Sequence, residues 1–183
     1  WIELNICKGK PMAWARALDV FNYIYSNPWT TALRGKRILV ISTFTESIRE
    51  KIGKEIYPVE LFPDCSFVFI KPPQLQGDNL SLEWYIEYEK WFIHLDTYKD
   101  SYDVALVSSG GMGNIICNRI FENHKKSAIY IGGVLSTYFG IYNQRMLTEN
   151  KYAVTAYLNQ NWSRPKVSER PEGFKGIEGG CYF

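Results

Sequence analysis

The chain is short of the residues that most often declare a chemistry. It has two histidines in 183 residues, His94 and His124, and neither has a metal-ligand partner at a short spacing. Four cysteines stand at 7, 65, 117 and 181 without a C-x-x-C pair. That argues against a structural zinc site and for free, buried thiols in a reducing compartment. No D-x-D or D-x-E occurs, the carboxylate pattern that holds Mg²⁺ or Mn²⁺ against a diphosphate. There is no G-x-G-x-x-G, no glycine-rich loop ending in Gly-Lys-Ser/Thr, and no G-x-S-x-G elbow. With no acidic residue placed for a nicotinamide ribose after the first strand, a dehydrogenase is poorly supported and an α/β-hydrolase is disfavoured.

Charge of one sign is lacking too. Lys and Arg total 21 against 19 Asp and Glu, a net +2, so there is no bulk drive toward nucleic acid or a membrane surface. The densest basic spot, "NHKKSA", reads as a solvated helix end. No apolar run approaches the ~18–20 residues that span a bilayer, and no leader is read at the start. A cytoplasmic location is expected. The chain opens on Trp1 instead of Met, which reads either as a domain excised from a larger multidomain chain or as a trimmed sequence.

What is present is aromatic and apolar. Rings make up 16% of residues, with 13 Tyr, 10 Phe and 6 Trp, enough for a ring-rich core or for stacking on a sugar or base. Apolar periodicity predicts a helix over 11–26, closed by Asn27-Pro28. A β-branched run over 36–43 predicts a buried strand. A helix follows over 45–57, then a strand over 66–73 that ends at a double proline. A long helix is predicted over 79–99, capped by Asn79 or Ser81, with Leu82, Tyr85, Ile86, Trp91, Ile93 and Leu95 as its apolar contacts. Strands over 103–109 and 127–133 each precede a helix. Strand–helix alternation predicts an α/β domain, Rossmann-like and three-layered, with a mainly parallel sheet. One domain is expected, with a core over 28–158. Residues 159–183, rich in Gly, Pro, Arg and Glu, read as an ordered irregular C-terminal tail anchored by Trp162, Phe174, Tyr182 and Phe183.

In an open parallel sheet, ligands bind outside the carboxyl ends of the strands. Three such ends carry small polar residues: "STFTES" (42–47), "SSGGMGN" (108–114) and "GGVLST" (132–137). Glycines let main-chain N–H groups approach an anion, and a helix start adds partial positive charge. The second junction is the candidate diphosphate site, with Ser108, Ser109 and Asn114 able to add side-chain hydrogen bonds. Glycine at such a junction equally serves close packing, and both readings stand.

Five separated motifs occur in order: "WTTALRGKRILVISTFTESIREK", "DVALVSSGGMGN", "AIYIGGVLSTYFGI", "NQNWSRP" and "IEGGCYF". Together they resemble the GT-D-type glycosyltransferase-like domains over almost all of residues 28–183. The resemblance implies transfer of a sugar from a nucleotide-diphosphate donor, UDP favoured, to the hydroxyl of a glycan or glycoconjugate acceptor. The alternative is a non-catalytic nucleotide-sugar or glycan-binding module of a larger glycosyltransferase. By position, the nucleotide diphosphate would lie near Ser109, Gly110, Gly111, Gly113 and Asn114, with Gly132 and Gly133 walling the same cleft. Asn161, Trp162, Arg164, Pro165 and Glu178 would close it, and Arg145 or Arg164 would help neutralise the leaving group. Glu178 and Glu46 are the candidate bases for the acceptor hydroxyl; their plain structural roles are a tail salt bridge and a helix N-terminal charge. No residue is assigned to a metal, although Mn²⁺ or Mg²⁺ could assist. The sequence departs from the family's usual residues at Thr43, Ser136 and Met146, and it lacks the family's N-terminal acidic motif.

Overall fold

The computed structural model describes residues 18–22, 24, 28–79, 82–149 and 151–183. Most of the helix expected over 11–26 lies outside these residues, as do Cys7 and Ser81. Within them, Val20–Asn22 forms a single 3-10 turn, and Val20 and Ile24 are buried.

Four strands build one all-parallel sheet: β1 (Arg37–Ser42), β2 (Ser66–Ile70), β3 (Val104–Ser108) and β4 (Ser127–Tyr130), in the order β2-β1-β3-β4. Ile38 sits opposite Phe67 on one side and Val104 on the other, and Ala105 opposite Ala128. Side chains alternate across a strand, and here both faces are covered, which is why the central strands read as continuous apolar runs. Ile38, Val40, Val104 and Leu106 enter one apolar cluster, and Leu39, Ile41, Ala105 and Val107 the other.

The second cluster is roofed by α2 (Trp84–Asp96) and α3 (Gly113–Arg119) through Tyr88, Trp91, Phe92, Leu95 and Ile116. The first is roofed by α1 (Thr45–Arg49), by the 3-10 stretch Gly132–Phe139 and by the tail. Helices α4 (Gln144–Glu149) and α5 (Lys151–Tyr157) then lead into that tail. The fold is a Rossmann-like three-layer α/β/α domain.

Two helices differ from the sequence reading. The helix expected over 45–57 ends at Arg49. The chain then turns, with Gly53 at φ +77°, and delivers Ile56 and Tyr57 to the core, where the Tyr57 hydroxyl donates to the Thr137 carbonyl at 2.7 Å. The helix expected over 79–99 runs only from Trp84 to Asp96, and its first residue follows Glu83 with no side-chain cap; Asn79 belongs to a separate 3-10 turn. Its buried stripe is Tyr88, Trp91, Phe92 and Leu95, whereas Leu82 is 95% exposed and Ile93 68%. The true stripe keeps i, i+3, i+4, i+7 spacing; the expected set mixed two faces of an all-round aromatic helix.

The tail is irregular but packed. Trp162 and Phe183 are buried, and Phe174 and Tyr182 lie half-buried against the same cluster. Trp162 meets Tyr57 edge to face at 5.4 Å and donates to the Ile56 carbonyl at 3.2 Å.

An ion pair ties the entry of β1 to that of β3. Asp103 accepts from the Arg37 main-chain N–H and from its Nη2, both at 2.8 Å. That guanidinium hydrogen bond holds the Asp103 carboxyl down at about 2. A carboxylate lowered on folding stabilises above its unfolded pKa, near 4, and loses that contribution as pH falls toward about 2. Both side chains are well exposed, so solvent screens the pair. Asp103→Asn is therefore expected to lower Tm by only about 1–2 °C at neutral pH. It should also flatten the Tm–pH curve between about pH 4 and 2. A mutant curve parallel to wild type through that window would remove this assignment.

Candidate functional site

From β1 the chain steps outward to β2, then crosses back past β1 to β3 and β4. The direction of winding therefore reverses beside β1, and the helices that follow β1 and β3 pack on opposite faces of the sheet, which opens a gap beyond their carboxyl ends. A crevice of about 400 Å³ occupies this place, within the usual range for small-molecule sites. Its floor is the junction Ser108–Met112 after β3, with Thr43 and Phe44 after β1. The segment Pro73–Gln76 after β2 forms one wall, with Tyr88 of α2; Tyr130, Gly133, Asn143, Tyr182 and Phe183 form the other. No lining residue carries a formal side-chain charge at neutral pH. Rings and amides dominate.

Of the residues expected at a diphosphate site, Ser109, Gly110, Gly111 and Gly133 line the crevice. The main-chain N–H groups of Gly110 and Gly111 take no hydrogen-bond partner among the described residues. Ser109 Oγ lies 3.3 Å from the Tyr88 hydroxyl, and burial raises the Tyr88 pKa, keeping it a neutral phenol. Gly113 does not reach the lining. A Cβ there would sit 2.2 Å from the Tyr130 ring, so this glycine lets α3 pack against Tyr130, whose hydroxyl donates to the Gly110 carbonyl at 2.9 Å. Asn114 is exposed on α3, and Gly132 stands just behind Gly133; neither lines the crevice.

The charged candidates are placed elsewhere. Glu46 is exposed on α1 and outside the crevice. Glu178 is also outside the lining, in the left-handed region at φ +46°, and its Oε2 accepts from the Tyr182 hydroxyl at 3.1 Å. Arg145 pairs with Glu149 at 2.9 Å and donates to the Tyr182 hydroxyl at 3.2 Å. Arg164 donates to the Phe183 carbonyl at 2.9 Å and to Gln144 Oε1 at 2.8 Å. Trp162 is core. Arg145, Arg164 and Glu178 thus touch the crevice only through Tyr182 and Phe183, which they brace.

The first junction is filled from within. Glu169, 2% exposed, accepts from the Glu46 N–H at 2.8 Å, from the Ser47 N–H at 3.2 Å and from the Ser47 hydroxyl. A tail carboxylate occupies the anion site at the start of α1. Sequence reasoning missed Glu169, since nothing local links it to residue 46. It also missed Asn143, although Asn directly before a helical run is a capping signal. Among the described residues no three His, Cys, Asp or Glu side chains gather as a metal site.

His124 belongs to a different place. It is 3% exposed, with Nδ1 2.6 Å from the Tyr102 hydroxyl and Nε2 2.8 Å from Asp96 Oδ1, while Arg119 donates to Asp96 Oδ2 at 2.8 Å. Burial resists the Asp96 charge, but hydrogen bonds from Arg119 and His124 prevail and lower its pKa. Tyr102 and His124 precede β3 and β4, so this cluster lies at the amino ends of the strands, opposite the crevice. His94 is exposed. A second cavity, about 630 Å³, lies under the loop leading into β2, between Tyr57, Phe62 and Phe139.

No family model, curated protein or solved structure matches this chain. The fold and the crevice define an α/β domain with a switch-point site built of backbone, rings and amides. Among the described residues, no helix is long and apolar enough to cross a membrane.

Proposed function

We propose that the crevice binds a nucleotide-diphosphate sugar, UDP-linked in the favoured case, and that the chain is a glycosyltransferase acting on the hydroxyl of a glycan acceptor. One observation carries the reading: Gly110 and Gly111, whose amides take no partner among the described residues, line a crevice with rings, amides and hydroxyls but no charged side chain. Main-chain N–H groups suit phosphate oxygens. Rings and amides suit a neutral sugar and a base. The five-motif resemblance to GT-D-type domains supports the same reading.

In the reaction, the bond from the anomeric carbon to the diphosphate breaks and a bond to the acceptor oxygen forms. The amides of Gly110 and Gly111, with Ser109 Oγ, hold the departing charge in place. Because Glu46 and Glu178 lie outside the crevice, the acceptor proton passes to the departing diphosphate oxygen. The crevice offers Mn²⁺ or Mg²⁺ no carboxylate or imidazole among its lining residues.

The absence of a carboxylate from the lining favours a second reading, a nucleotide-sugar or glycan-binding module of a larger enzyme. Incubation with UDP-, GDP- and TDP-sugars and glycan acceptors, with and without Mn²⁺, separates the two. Transfer supports the enzyme; binding without nucleotide release supports the module; no binding removes both.

Gly111→Val tests the placement. Gly111 has no positive φ, and a Cβ there meets nothing within 4 Å. Valine therefore fits the fold while projecting its methyls beside the amides. UDP affinity is expected to fall ~10-fold or more, with Tm unchanged. Equal affinity in the variant would place the diphosphate elsewhere.

A further inference from the structure

We infer that Asn143 and Tyr182 form a subsite for the uncharged sugar ring of the ligand, which restricts the donor to neutral sugars; this rests on the nucleotide-sugar reading above. Asn143 is 4% exposed yet lines the crevice. Its Oδ1 accepts from the Met146 N–H at 3.0 Å, the capping bond of α4. That bond sets the amide's orientation and commits its acceptor. Its NH₂ takes no hydrogen-bond partner among the described residues and is left to donate to a ligand oxygen. The residue is buried, but this nitrogen is not among the buried polar atoms that lack a partner, so it reaches the open crevice, where a ligand oxygen can take the place of water.

Tyr182 supplies the surface beside it. Its hydroxyl is held between Arg145 Nη1 and Glu178 Oε2, and the Arg145 guanidinium stands 5.9 Å from the ring centroid. The polar tip of the ring is thereby occupied, and what remains for the crevice is its hydrocarbon surface. Gly133 lies against the ring, where a Cβ would come to 4.0 Å. The Arg145 N–H donates to the Cys181 carbonyl at 2.9 Å, which locks the first turn of α4 to the end of the tail. Asn143 and Tyr182 therefore stand on two joined elements. A stacking ring and a directed amide donor, with no charged side chain in the lining, suit a hydroxyl-bearing pyranose. A sugar carboxylate would lose its water with no cation in the lining to replace it, the nearby Arg145 being engaged by Glu149 and by the Tyr182 hydroxyl. Arg145 and Glu178 are positioning residues here.

Titration calorimetry of the full chain with UDP, UDP-glucose and UDP-glucuronic acid tests this. Wild type is expected to bind UDP-glucose about 10-fold or more tighter than UDP, and UDP-glucuronic acid no tighter than UDP. Tyr182→Ala should erase most of that advantage and leave UDP affinity within about threefold, while Tyr182→Phe keeps most of it. Asn143→Asp retains the capping oxygen and replaces the donor, so it should erase the advantage with Tm preserved. An advantage that survives both Tyr182→Ala and Asn143→Asp, or equal wild-type affinity for UDP and UDP-glucose, overturns the subsite alone. Failure of wild type to bind any UDP, GDP or TDP compound overturns the proposed function and the subsite with it.

Discussion

Glu169→Ala is expected to lower the unfolding free energy by about 2–4 kcal/mol. The local sequence gives α1 no cap: the residue before it is Phe44, which makes no side-chain capping bond. The cap comes from the tail. Glu169 accepts from the N–H groups of Glu46 and Ser47 and from the Ser47 hydroxyl, and Ser47 Oγ in turn accepts from the Lys166 N–H at 2.9 Å. Removing the carboxylate leaves three donors without an acceptor, the two on Ser47 buried and the Glu46 N–H partly so. Each such loss costs roughly 1–3 kcal/mol, less where neighbours relax. Glu169→Gln keeps one accepting oxygen but loses the charge at the helix start, for a smaller cost of about 1–2 kcal/mol. Urea unfolding measures both, and protease cleavage within 159–183 should quicken in the alanine variant. If Glu169→Ala unfolds at the wild-type urea midpoint, the tail is not latched through this residue.

The second large effect is expected at Gly77. Its φ is +67°, and a Cβ there would lie 2.1 Å from the Glu172 carbonyl oxygen. The obstacle is backbone and cannot swing aside. The Asp78 N–H donates to that same oxygen at 3.0 Å, so the two segments dock main chain to main chain. Gly77→Ala adds about 1–2 kcal/mol of left-handed strain. Parting the segments forfeits roughly another 1 kcal/mol of hydrogen bonding. A total loss of about 2–3 kcal/mol is expected in chemical denaturation. Gln76 also lines the crevice, so ligand affinity should fall with it. A Gly77→Ala chain as stable as wild type would mean that the tail docks without this contact.

Both effects concern how the tail is held, and the tail matters because its last two residues wall the crevice. Arg164 on Phe183, and Arg145 with Glu178 on Tyr182, continue the same bracing. Residues expected to touch a ligand instead hold the residues that line its site. In the tail motif "IEGGCYF" the backbone is constrained: Glu178, Gly179 and Gly180 all have positive φ. The spacing carried no information on which side chain would face the crevice.

Much of the architecture was legible. A parallel sheet buried on both faces must be written as continuous apolar, β-branched runs, and those runs stand out at 37–42 and 104–108. Strand ends were legible where glycine or proline interrupts the run, as at Ser109-Gly110 and Pro72-Pro73. Helix α2 was legible as a helix but not in its facing, because Tyr, Trp, Phe and Ile occur all around it and periodicity loses contrast. The short α1 was overextended because Ile52 and Ile56 keep helical spacing while Gly53 turns the chain away.

The sequence by itself determined the α/β class, the strand positions and the glycine junction after β3, since each rests on short-range sterics and burial period. Only the tertiary structure decided which junction stays open. The amides after β1 are taken by Glu169, whose partners lie more than a hundred residues away. Gly113 faces Tyr130, while Gly110 and Gly111 face the crevice. An irregular segment has no period from which its contacts can be read, so the roles of Glu169, Tyr182 and Asn143 exist only once the chain has closed on itself.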